Sequence, residues 1–183
     1  MDDQEAIRQM KHGKISGLEN LVNKYQIKAL RAAFLVMHNE ALAEDVVQDT
    51  FIRFYQRVKH FDENRSVEPY LMRSMVNAAL NAVRRDRKRI SLDSNLAQFE
   101  GLLTQATSVE SQVEFNQLSE KILASLSQLT PQQRAVIVQR YYLEMSEAEM
   151  AQALDIAPGT VKWLLHAARN RLRDIFGAER SKK

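Results

Sequence analysis

The chain has 183 residues, 45% of them hydrophobic, with 26 Lys and Arg against 23 Asp and Glu for a formal net charge of +3. That length suits one domain or two small ones, and no apolar run reaches the roughly 18 residues that would cross a bilayer. The lack of cysteine excludes disulfides and thiolate metal sites and fits a reducing cytoplasm, while the acidic start MDDQEAIRQM is unlike a secretory signal.

The average charge conceals a pattern. Residues 1–64 carry 9 basic and 10 acidic side chains, and residues 65–90 carry 7 and 2. Residues 91–130 carry 1 and 5, and residues 131–183 carry 9 and 6. Two basic segments flanking an acidic one point to two separate nucleic-acid contacts.

In chain order, a short N-terminal helix or tail (1–12) is expected to fray, with Gly13 and Gly17 near the break. A first helical domain then covers 13–90. Leu18, Leu21, Val22, Tyr25, Ala29, Ala33 and Val36 recur at helical spacing. The next helix has Leu42, Val46, Thr50, Phe54 and Val58 as its inner face and Asp45, Gln48, Asp49, Ile52 and Arg53 outside. Asp45 and Asp49, one turn apart, could be a metal or acid–base pair. No histidine joins them at ligand spacing, so a docking face for a protein, or plain solvation, explains them better. A third helix, about 67–89, turns Tyr70, Leu71, Ser74, Met75, Ala78 and Ala82 inward. It ends in RRDRKR, five basic residues in six. Cations suit a helix C-terminus in any fold, but the mutual repulsion of Arg84, Arg85, Arg87, Lys88 and Arg89 is relieved best by nucleic acid.

Residues 91–115 contain four acidic side chains and no basic one, and their weak apolar spacing reads as a flexible acidic linker. A second domain, 116–177, opens with a helix using Phe115, Leu118, Ile122 and Leu126, and a basic tail, 178–183, follows it. Within this domain Ser146 and Glu149 have capping-box spacing. Ala148, Ala151 and Leu154 form a short stripe ending at Asp155, and Pro158 suits the first turn of a new helix. Two short helices across so tight a turn form a helix-turn-helix. On the second helix, Val161, Leu165, Ala168 and Leu172 form the core stripe, with Ile175 and Phe176 at its edges. Lys162, His166, Arg169 and Arg173 share the exposed side, as phosphate and base-edge contacts require. No strand alternation occurs. The expected fold is all-α: two small helical domains, the C-terminal one a helix-turn-helix.

These stretches resemble the extracytoplasmic-function sigma factors, the smallest class of bacterial sigma factor in the sigma-70 superfamily. AEDVVQDTFIRFYQRVKHFDENRSVEPYLMRSMVNAALNAVRRDRKR is similar to the family's second region. LSQLTPQQRAVIVQRYYLEMSEAEMAQALDIAPGTVKWLLHAARNRLR is similar to its fourth. The resemblance implies a promoter-specificity factor with no enzyme activity, cofactor or metal, working in the cytoplasm. Its partners would be the largest and second-largest subunits of core RNA polymerase and promoter DNA. An anti-sigma protein or other recruiting factor is left open.

On the matching positions, Asp45, Gln48, Asp49 and Arg53 would dock on the clamp helices of the polymerase. Asp62, Asn64, Arg65 and Ser66 would take a flipped base of the minus-ten element, with Asn77, Arg84, Arg85, Arg87, Lys88 and Arg89 holding DNA beside it. Arg134, Thr160, Lys162, Trp163, His166, Arg169 and Arg173 would meet the minus-thirty-five element. The chain departs from the family pattern at Tyr70, where tryptophan is usual, and at Trp163 and Leu164, where serine and arginine are usual. Trp163 could face DNA, a protein, or its own core. The competing readings are a stand-alone helix-turn-helix regulator and a sigma-like adaptor recruited through another protein.

Overall fold

Side-chain caps fix where several of the helices begin. The computed structural model describes residues 2–85 and 109–180, with side chains at 118–178 in the second stretch. Helix α1 (Asp3–Lys11) starts at Asp2, whose carboxylate accepts from Glu5 N at 2.7 Å. After α2 (Ser16–Met37), α3 (Glu40–Arg57) starts at Asn39, whose side chain accepts from Leu42 N at 3.0 Å. A 3₁₀ turn, Val58–His60, and a loop lead to α4 (Val67–Arg85). In the second half come α5 (Val109–Ser127) and α6 (Pro131–Ile137), which runs on into a π turn, Val138–Tyr142. Helices α7 (Glu147–Leu154) and α8 (Pro158–Arg180) follow. Capping boxes start α6 (Thr130 with Gln133) and α7 (Ser146 with Glu149), each satisfying two free backbone donors. All the elements among the described residues are helical.

The first half packs α2, α3 and α4 against one another, with α1 across α2. Helix α1 does not fray as expected. Ala6, Ile7 and Met10 are at most 2% exposed, and Asp3 accepts hydrogen bonds from Lys24 and from the Tyr25 hydroxyl. Gly17 permits the crossing: a Cβ there would stand 2.2 Å from the Ala6 carbonyl oxygen.

Several inner faces are turned from their expected positions. Thr50 and Phe54 on α3 and Val58 just after it are buried, but Ala43, Val47 and Phe51 are buried too, while Leu42 and Val46 are half-buried. The burial arc is wide because α3 packs on both α2 and α4. On α4, Leu71 and Met75 are buried with Met72, Val76, Ala79, Leu80 and Val83, while Tyr70, Ser74, Ala78 and Ala82 are half-buried. One side of α4 meets α2 and α3, and α6 and α7 cover another. Helix α5 begins at Val109, inside the stretch expected to be linker, whose residues 91–108 lie outside the described residues. Leu123 and Leu126 point inward there, leaving Leu118 and Ile122 exposed instead of buried. On α7, Met150, Ala151 and Ala153 are buried and Ala148 is exposed, because Ala153 is turned toward α4.

The two halves meet in a seam. Leu123, Ala135 and Val138 join the apolar cluster of the first half, while Leu126, Leu129, Val136, Ile137, Met150, Val161, Leu164, Leu165 and Ala168 form a core for the second. Arg134, only 9% exposed, crosses the seam: its Nε donates to the Val36 carbonyl at 2.7 Å and Nη1 to the Leu129 carbonyl at 3.0 Å. Beside it, His38 closes α2 in the left-handed conformation at φ 55°. Burial, and then the Arg134 charge, push the His38 imidazole down to about 4. A neutral buried histidine is protonated sooner in the unfolded chain than in the folded one. Its contribution is therefore complete above pH 6.5 and is lost as pH falls toward 4, on the order of 3 kcal/mol in total. Thermal melts between pH 7 and pH 4 should show that loss, and His38→Asn, which tolerates the left-handed cap, should flatten the profile.

Candidate nucleic-acid interface

Three surfaces collect most of the residues singled out in the sequence. The first is the outer side of α3. Asp45, Gln48, Asp49, Ile52 and Arg53 are all exposed. Arg53 and Asp49 pair one turn apart at 3.3 Å with both side chains about two-thirds in water, so the pair adds little stability. Ile52, half exposed amid these charges, gives the strip an apolar centre of the kind a protein contact uses. A cleft of about 430 Å³ lined by Asp49, Arg53, Asn81, Arg84 and Arg85 joins this strip to the end of α4. Arg87, Lys88 and Arg89 lie outside the described residues.

The second surface is the loop before α4. Asp62 Oδ1 accepts from the backbone N and side-chain Nδ2 of Asn64 at 3.0 and 3.1 Å. The Asp62 carbonyl accepts from Arg65 N at 3.1 Å. Such an Asx turn fixes the loop without regular structure. Asn64, Arg65 and Ser66 are exposed. Behind the loop, Phe54, Phe61 and Tyr70 stack edge-on or tilted with centroids 5.1 to 5.5 Å apart. A cavity of about 680 Å³ lined by these rings, Arg57, His60, Asp62 and Arg65 opens beside them. Aromatic faces rimmed by cations suit an unstacked base. Tyr70 completes this triad, as a tryptophan would.

The third surface is the helix-turn-helix. Asp155, at φ 53°, ends α7 in the left-handed conformation, and α8 restarts at Pro158. The Glu149 carboxyl lies below its usual range because Ser146 donates to it from hydroxyl and backbone. Val161, Leu165 and Ala168 are buried as expected, and Leu164 joins them. Thr160, Lys162, Trp163, His166, Arg169 and Arg173 are exposed. Asn170 links two members of the strip, meeting His166 Nε2 at 2.9 Å and accepting from Arg173 at 3.3 Å.

The seam claims residues expected on DNA. Arg134 is no exposed DNA contact in this arrangement. It leaves the first turn of α6 and reaches the Val36 carbonyl near the C-terminus of α2. Asn77 Nδ2 donates to the Ala153 carbonyl, and Arg73 Nη1 to Gln152 Oε1 at 3.2 Å. Arg84 lines a cavity of about 420 Å³ with Thr130, Gln132, Gln133 and Trp163. One strip of α4 thus faces the helix-turn-helix. Arg73 and Lys11 were not singled out from sequence, since their partners stand 79 and 52 residues away and no local spacing marks them.

Trp163 is 65% exposed, which excludes a place in its own core. Trp163→Ser should therefore change unfolding free energy by less than about 0.5 kcal/mol, as surface substitutions do, in a thermal or denaturant melt.

Comparison with known proteins places both halves. The Sigma-70 region 2 profile matches residues 21–89 and the Sigma-70 region 4 profile residues 119–172. The chain is 31% identical over 175 residues to the ECF RNA polymerase sigma factor SigW of Bacillus subtilis, covering 92% of this chain and 94% of that one. It is 30% identical over 165 residues to the RNA polymerase sigma-E factor of Streptomyces avermitilis, covering 90% and 88%. Among solved structures, CnrH in complex with the cytosolic domain of CnrY superposes with a TM-score of 0.66 at 22% identity, covering 96% of this chain and 97% of that one. The sigma factor RpoE from Bartonella quintana, in complex with the anti-sigma factor NepR, gives 0.58 at 20% identity, covering 87% and 98%.

Proposed function

The chain belongs to the extracytoplasmic-function sigma factors of the sigma-70 family, non-enzymatic factors that bind core RNA polymerase and start transcription at chosen promoters, and we propose how its surfaces divide that task. The carrying observation is the pairing, in family order, of an aromatic-backed loop on a first helical domain with an exposed basic strip on a helix-turn-helix. Asp45, Gln48, Asp49 and Arg53 dock the first domain, 13–90, on the polymerase. The loop Asp62–Ser66 receives a base of the opened minus-ten element, with Arg84 and Arg85 on neighbouring phosphates. Thr160, Lys162, Trp163, His166, Arg169 and Arg173 meet the minus-thirty-five element from the second domain, 116–177. This work is done in the cytoplasm. The solved relatives bound to CnrY and NepR support a protein regulator among the partners.

The test is whether the chain, added to core polymerase, starts RNA at defined sites. Reversing charge in an Asp45→Lys, Asp49→Lys double variant should weaken core binding by about 2 kcal/mol, since neighbouring rim charges act together, and leave the melting curve in place. Unchanged affinity would move the docking face elsewhere.

Engagement of both promoter elements requires the halves to part. Elements about 25 base pairs apart are separated by about 85 Å of B-DNA, whereas a compact chain of this length has a radius of gyration of about 16 Å. Residues 86–108 can span at most about 80 Å when extended, enough to let the domains reach both elements. Because the natural chain has no cysteine, an Arg73→Cys, Gln152→Cys pair joined by a cleavable bis-maleimide should silence promoter-dependent transcription. Cleaving the linker should restore it, read as run-off RNA.

A further inference from the structure

Helix α1 lies before the stretch matched by the region 2 profile, which starts at residue 21, yet it is among the better-fixed elements. Asp2 caps it, Asp3 ties it to α2 through Lys24 at 2.6 Å, and Gly17 lets the two backbones touch. Its last residue, Lys11, reaches away from this contact. Lys11 Nζ donates to Glu63 Oε1 at 2.8 Å. Glu63 is the second residue of the loop Asp62–Ser66, and its carboxyl is held below the usual range chiefly by that hydrogen bond. The Lys11 side chain is 24% exposed, less than the 43% of Glu63, so the ammonium is held on a stem packed against protein.

The other polar contacts of the loop, among the described residues, run within it, from Asp62 to Asn64 and Arg65. These fix the shape of the turn but not its placement over the Phe54–Phe61–Tyr70 cavity. The Lys11–Glu63 pair supplies that placement, joining the loop to a helix clamped on α2. A loop placed before its ligand arrives loses less conformational entropy on binding.

We propose that Lys11 is a positioning residue for promoter opening: α1 is a strut that holds the strand-receiving loop over its aromatic cavity. This rests on the reading above that the loop takes an unpaired base. The strut itself has no DNA contact to make. Its effect should appear at the step in which a strand leaves the duplex, and not in polymerase docking or in duplex recognition by α8.

The experiment uses holoenzyme, a promoter defined by transcript mapping, and that promoter's non-template minus-ten strand as a labelled oligonucleotide. Lys11→Met keeps the packed stem and removes the ammonium. It should weaken oligonucleotide binding and slow strand opening about two- to five-fold, within the range of a partly exposed ion pair. Core affinity and melting temperature should stay unchanged. The swapped pair Lys11→Glu, Glu63→Lys should restore binding, which a merely structural role for Lys11 does not predict. Gly17→Ala, which forces α1 off α2, should reproduce the defect together with a lower melting temperature. Equal oligonucleotide binding by Lys11→Met and the natural chain, or no rescue by the swap, overturns the proposal. Asn64→Ala and Arg65→Ala separate the two readings: if they weaken the strand and Lys11→Met does not, only the strut falls. If all are silent, the base-receiving loop falls with it.

Discussion

A buried guanidinium held by backbone carbonyls governs the arrangement of this protein. Arg134 sits 9% exposed and, among the described residues, donates to two carbonyls, one at the end of α2 and one just before its own helix. A buried charge needs compensation, and the compensation here is partial: the negative end of the α2 dipole and two directed hydrogen bonds. Burial lowers its pKa. The arrangement holds while α6 stays against α2, and if they part, water takes the place of the Val36 carbonyl. An ion pair across the seam would attract at longer range. A bond to a helix end works at contact only, which makes the seam specific in register and easy to leave.

The seam also leaves buried polar atoms unsatisfied. Asn77 Oδ1 and His38 Nε2 are buried there without a hydrogen-bond partner, and each such atom costs about 1–3 kcal/mol that hydration would return. The apolar clusters are nearly separable, with Leu123, Ala135 and Val138 the principal loans from the second half to the first. Parting the domains exposes those side chains but leaves both main cores whole. The same motion frees Arg73 and Asn77 from α7. On the proposed reading, promoter DNA would compete with α7 for this strip of α4.

What the sequence made legible follows from the range of the forces involved. Caps, turns and helical periodicity act over three or four residues, so Ser146 with Glu149, the turn at Asp155 and the exposed strip Lys162–His166–Arg169–Arg173 were all readable. The exposed face of α3 was readable too, because solvation leaves polar residues together. Interactions between distant segments left no local mark. Arg134 looked like a surface base because nothing nearby announced Val36, 98 residues earlier. Helical periodicity alone places the stripes of α4 and α7 a little off because each helix is covered on a second side by the other domain. The fraying expected of α1 failed for a similar reason: Gly17, read as a break, is the point where two helix backbones meet.

The aromatic loop shows how local and distant effects combine in one site. Asp62 and Asn64 shape the turn through bonds two residues long, and sequence alone suffices for that. Phe54, Phe61 and Tyr70 come from α3, the turn after it and α4, and their edge-on packing fixes the angle between those helices as well as the wall of the cavity. Tyr70 contributes twice, since the Arg73 guanidinium lies 5.9 Å from its ring centre while the same arginine bonds Gln152 of α7. Tyr70, which lines the cavity, thus touches the arginine that reaches across the seam to Gln152. If the cavity receives an unpaired strand as proposed, release of α7 would free Arg73 beside Tyr70 and so couple domain opening to that site.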